Sequence, residues 1–127
     1  RDAIDGKANA SGGAAIAFGA GSCSSGVGSI ALGTNASGTG DNSIVIGTEA
    51  EANASNAIAI GIEAVSNKIN TTAVGTLSKA TGNYSSAYGT LANANGGGSM
   101  AFGAGVWGPS AAVVRRRIPA AAPLLAA

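Results

Sequence analysis

The chain has 127 residues, of which 21 are glycine and 29 alanine, with five aromatic side chains and only 10% charged residues. One domain fits that length, the scarcity of large side chains excludes a conventional core, and a 46% apolar content excludes the usual disordered composition. Residues 1–106 carry four basic and six acidic side chains, a net of −2, and Arg115, Arg116 and Arg117 bring the chain to +1, so the long acidic part offers no surface for nucleic acid phosphates.

Taken in chain order, the elements repeat. Ala3-Ile4-Asp5 is a degenerate first copy of a phrase that appears in full at Ala15-Ile16-Ala17-Phe18-Gly19. The closing glycine returns at Gly33, Gly47, Gly61, Gly75, Gly89 and Gly103, always fourteen residues on and without insertion. Before each of these anchors the residues alternate between large and small, which at period two predicts a strand. After each anchor, small residues at the third and fifth places (Ala50 and Ala52 after Gly47) alternate with polar ones and predict a second strand. Glycine recurs at the seventh place, as Gly12, Gly26, Gly40, Gly82 and Gly96. Fourteen residues accommodate two strands of about five residues and two glycine-permitted corners, but not two helices. The expected fold is all-β: a parallel β-solenoid of seven to eight coils, about 4.8 Å apart and roughly 35 Å long in all.

The two strands differ in what they can face. The strand after the anchor has one small face and one polar face, carrying Glu49, Glu51, Glu63 and Lys79. The strand before it has no charge on either face, a pattern of burial on both sides. A two-sheet coil has one interior, so the second face predicts contact with further copies of the chain. One assignment fills the interior with Ile16, Phe18, Ile30, Leu32, Ile44, Ile46, Ile58, Ile60, Val74, Tyr88, Met100 and Phe102, on the expectation that packed sheets stand about 10 Å apart. It turns Ala17, Ser29, Ala31, Ser43, Val45, Ala59, Ala73, Ala87 and Ala101 toward the partner chains. The reverse assignment also satisfies the alternation, and in both the sheets of pre-anchor strands turn inward in a homo-oligomer.

Three phrases, Asn42-Ser-Ile-Val-Ile-Gly47, Asn56-Ala-Ile-Ala-Ile-Gly61 and Gly28-Ser-Ile-Ala-Leu-Gly33, resemble the head repeat of YadA-like trimeric autotransporter adhesins. The resemblance covers residues 3–106. It implies a left-handed parallel β-roll, a homotrimer about a threefold axis, and display on the outer membrane of a Gram-negative bacterium. It also implies binding to host extracellular matrix or to a cell-surface protein or glycan, or self-association. Asp5 replaces the first anchor, and Thr72 and Ser86 replace large apolar residues, so the coils near them are expected to pack less well.

Residues 1–106 thus read as the repeat domain, and residues 107–127 as a non-repeat tail: a cap, a connector or a foreign extension. Pro109, Pro119 and Pro123 limit any helix there to about 110–118. Trp107, just past the last coil, is expected to plug its end. No apolar run reaches the roughly 18 residues of a membrane span, so no membrane insertion is expected, and the first six residues do not read as a signal peptide. Cys23 is the single cysteine, with no disulfide partner in its own chain, and is expected to stay free. There is no histidine, no metal-ligand spacing and no phosphate-binding loop, so neither catalysis, metal nor cofactor is expected. Glu49, Glu51 and Glu63 should cluster, with Lys68 and Lys79 near enough to moderate their repulsion, as a solvated face or a ligand face. Asn42, Asn56 and Asn70 are expected to form a hydrogen-bonded ladder at a corner. A structural solenoid of a phage or secreted fibre is the alternative function. Ice binding fits less well, because the threonine row Thr34, Thr48, Thr76, Thr90 is single and broken by Ala20, Ile62 and Ala104.

Overall fold

The computed structural model describes residues 2–4, 6–108 and 113–115. Each fourteen-residue unit contributes one three-residue strand and one two-residue strand. The three-residue strands, from Asp2–Ile4 and Ile16–Phe18 through Ile44–Ile46 to Met100–Phe102 and Val113–Arg115, stack in chain order into a nine-stranded parallel sheet. The two-residue strands, from Asn9–Ala10 through Glu51–Ala52 to Trp107–Gly108, stack into an eight-stranded one. The register repeats the sequence period: Ile30 pairs with Ile44, Ala31 with Val45 and Leu32 with Ile46. This is the predicted β-solenoid.

The strands are shorter than the predicted five residues because the corners take up more of each coil. Each coil closes through two β-turns, such as Ser22 N–H to Gly19 O at 3.0 Å and Ser29 N–H to Gly26 O at 3.2 Å. The third residue of each turn is left-handed, as at Asn35 (φ 57°) and Asn42 (φ 56°), a conformation that asparagine and glycine tolerate. The anchors are glycine for two reasons, both clear at Gly47. Its φ of 141° lies outside the range of ordinary side chains. A Cβ there would also stand 2.4 Å from the carbonyl oxygen of Gly61 in the next coil.

The first assignment of the two faces is reversed. Ala17, Ala31, Val45, Ala59, Ala73, Ala87 and Ala101 are fully buried inside the single chain, as are Ser29 and Ser43, so none of them can be the surface that meets a partner. Ile16, Phe18, Ile30, Leu32, Ile44, Ile46, Ile58, Ile60, Val74, Tyr88, Met100 and Phe102 point outward and are half-buried or exposed; Phe18 keeps 52% of its surface. The reason is the thinness of the coil. The Ser24 and Ser29 hydroxyls meet at 2.5 Å across the interior, beside one corner. The largest fully buried side chains are Val45 and Thr71. Sheets about 10 Å apart need large residues between them; these sheets nearly touch, and alanine and serine fill the space.

Pairing in that interior follows the fifth and tenth places after each anchor. Ser24 meets Ser29, and Ser66 meets Thr71 at 2.6 Å. Ser29 donates to Gly26 O at 2.7 Å and Thr71 to Lys68 O at 2.5 Å, so Ser24 and Ser66 are the donors within the two pairs. Ala52 and Ala57 form an apolar match. Ser43, opposite Gly38, and Ser85, opposite Ala80, are left with hydroxyls that have no hydrogen-bond partner.

The coil geometry runs past the last full repeat. Trp107–Gly108 pairs in register with Asn93–Ala94, and Val113–Arg115 joins Met100–Phe102 with a step of thirteen residues, Met100 opposite Val113. A strand therefore occupies part of the segment in which a short helix was possible. Trp107 lies on the outer face of its sheet and is 57% exposed, so it does not plug the end of the roll. Asp5, the prolines and residues 116–127 lie outside the described residues.

Candidate functional site

The outer face of the eight-stranded sheet carries one side chain per coil, in the column Cys23, Ser37, Glu51, Val65, Lys79, Asn93, Trp107. Beside it, at the corner between anchor and strand, runs a second column: Asn35, Glu49, Glu63, Leu77 and Leu91. Backbone hydrogen bonds from coil to coil hold this corner column together. Glu49 N–H donates to Thr34 O and Glu63 N–H to Thr48 O, each at 2.9 Å, so the two residues occupy the same place one coil apart.

Where the two columns meet there is an open depression of about 430 Å³, lined by Asn35, Glu49, Glu51, Glu63, Val65, Leu77 and Lys79. All four residues proposed from the sequence as a ligand face are among them. Glu51 is held from one side by Asn53 Nδ2, which donates to its Oε2 at 3.3 Å, and Asn53 in turn accepts from Thr39 Oγ1 at 3.0 Å. Val65 separates Glu51 from Lys79 on successive strands. The arrangement is three carboxylates, one ammonium and an aliphatic wall. It can hold the charged head of a basic side chain with its methylene stem against Val65 and Leu77. Among the described residues, no group of three His, Cys, Asp or Glu side chains is placed to hold a metal ion.

Sequence reasoning missed Asn35, Val65 and Leu77. Their signal was present: they occupy the same two columns as the glutamates, one coil away. Lys68 does not join the depression, because it sits at the opposite corner, where its carbonyl accepts from Thr71. Of the expected asparagine ladder one rung is present among the described residues, Asn56 Nδ2 donating to Asn70 Oδ1 at 2.9 Å, and Asn42 does not join it by a side-chain hydrogen bond. Cys23 is free and half-buried on the outer face.

Comparison with known proteins bears on the whole roll. The family model described as the YadA head domain repeat matches residues 24–37, 39–64 and 66–92 in two copies. Among solved structures, the chain is similar to the collagen-binding domain of the Yersinia adhesin YadA, with 31% sequence identity and a TM-score of 0.74. That match covers 86% of this chain, which spans 65% of the length of the solved domain. No curated protein sequence matches the chain.

Proposed function

Because the chain belongs to the family of YadA head domain repeats, we propose that it is an adhesive head, displayed at a bacterial surface, that binds host extracellular matrix or a cell-surface protein or glycan. The observation that carries this reading is the likeness, over 86% of the chain, to a domain whose described activity is collagen binding. The outward rows of the nine-stranded sheet support a homotrimer. Ile30, Leu32, Ile44, Ile46, Ile58 and Ile60 are each partly exposed on one face of that sheet, a contiguous apolar surface of the kind that marks an interaction site. Burying the remainder of each such side chain contributes about 1 kcal/mol. With that face turned to the threefold axis, the eight-stranded sheet looks outward and presents Glu49, Glu51, Glu63 and Lys79 to ligand. Affinity at each face can be modest, since three faces per head raise avidity.

The test is solid-phase binding of the purified chain to immobilised collagen and other matrix proteins, with albumin as control. Saturable binding to a matrix protein, weakened about tenfold or more by Glu49→Gln/Glu51→Gln/Glu63→Gln, is the expected result. Binding no greater than to albumin across the panel overturns the adhesive reading. Binding that the triple variant leaves unchanged removes the ligand from the acidic face.

A further inference from the structure

In two successive coils the two corners carry matched apolar side chains, although the corners lie on opposite edges of the roll. Seven residues apart, Ile62 is matched by Ile69 and Leu77 by Tyr84. In a single chain these corners are separated by roughly 15–20 Å, the reach of about five extended residues, and nothing within one roll requires them to agree. The apolar matches are also exposed: 52% at Ile62, 40% at Ile69, 37% at Leu77 and 62% at Tyr84. Each pair is contiguous along its own edge, since Leu77 N–H donates to Ile62 O and Tyr84 N–H to Ile69 O. Leu77 and Tyr84 both hold φ at 61°, a left-handed conformation that bulky side chains avoid; most other coils place glycine, asparagine or glutamate there, and Leu91 shares it at the next first corner. Finally, they flank the stretch in which the outward apolar row is interrupted by Thr72 and Ser86.

We propose that in these two coils the first corner of one chain packs against the second corner of the next copy, forming an apolar seam of Ile62 and Leu77 against Ile69 and Tyr84. The inference rests on the trimeric reading above. In a ring of copies whose axis runs along the rod, equal levels meet and the contact is heterologous, so one corner faces the other kind of corner and the ring closes. That geometry gives the apolar pairs of these two coils a common partner surface. It also brings Glu63 at the first corner to the level of Lys68 at the second, and sets opposite charges beside the apolar contact. The seam supplies at the edges of the interface the apolar contact that Thr72 and Ser86 remove from its centre. Leu77 is then both a seam residue and a wall of the acidic depression, which opens beside the groove between two copies.

The experiment uses the full chain carrying Cys23→Ser. Under mild oxidation the double variant Leu77→Cys/Tyr84→Cys is expected to give disulfide-linked trimers in non-reducing electrophoresis, and neither single variant should. Within one chain the two positions exceed the roughly 7 Å Cα limit for a disulfide. Leu77→Asn supplies a second readout whose sign is decisive. On an uncovered corner it relieves left-handed strain and removes exposed apolar surface, so the melting temperature rises. In a packed seam it uncovers Tyr84 of the next copy, and the melting temperature falls by about 5 °C. Light scattering separates the two layers of the argument. A trimer that does not cross-link, and that Leu77→Asn stabilises, overturns the seam alone. A monomeric parent chain overturns the trimer and the seam together.

Discussion

Ser24 and Ser29 make the same 2.5 Å contact, yet they are not equivalent. Ser29 spends its proton on Gly26 O, so Ser24 must donate to Ser29. Ser24→Ala therefore removes one hydrogen bond and orphans nothing, at a cost of about 1 kcal/mol. Ser29→Ala strands the Ser24 hydroxyl in a closed interior and costs more, about 2–3 kcal/mol. Ser43 and Ser85 invert the expectation, since their buried hydroxyls lack partners and alanine suits the site at least as well. Thermal denaturation of the four single variants should rank Ser29→Ala least stable, then Ser24→Ala, with Ser43→Ala and Ser85→Ala at or above the parent. Equal melting temperatures for Ser24→Ala and Ser29→Ala would refute the donor assignment.

At the scale of the element, the unit is the coil, and its length is enforced by pairing. Deleting residues 48–61 removes one coil and lets Gly47 be followed by Ile62 in the same register. The remaining ladder is unchanged, and stability falls by roughly the share of one repeat. Deleting Val45 alone shifts the strand by one place, turns one of its two flanking isoleucines, Ile44 or Ile46, toward an interior that admits nothing larger than valine or threonine, and disrupts the roll. Circular dichroism and proteolysis should show a folded core in the first variant and its loss in the second. The contrast also marks what could be read from residues alone. The period, the strand pairs and the anchors were legible, because glycine and two-residue alternation carry them directly. The direction of each face was not. Alternation says that Val45 and Ile46 look opposite ways, but which way is inward depends on the distance between the sheets, and the two tight turns of each coil set that distance. The four charged residues of the candidate site were legible as neighbours in two columns. The depression they share with Val65 and Leu77 was not, because its wall depends on how the corner and the strand sit side by side.

For the whole molecule, the proposed assembly makes a mass prediction. Ile44→Lys/Ile58→Lys places charges on the outward apolar face and leaves the interior alanines and the coil-to-coil hydrogen bonds untouched. The parent chain, at 11.9 kDa per copy, should elute with a mass near three copies and the double variant with that of one. A double variant that keeps the parent mass places the interface elsewhere.

The parallel register has a kinetic consequence. Strand pairing between successive coils closes loops of about fourteen residues, whether it joins Ile16 to Ile30 or Ser86 to Met100. Set against 127 residues, that separation gives a relative contact order of about 0.11, within the range of helical bundles and below that of β-sandwiches. Loop-closure entropy is the same small term for each coil and does not grow as the rod lengthens. This β-protein can therefore fold as a zipper, each new turn of chain laid on an edge already formed, and begin before its far end exists.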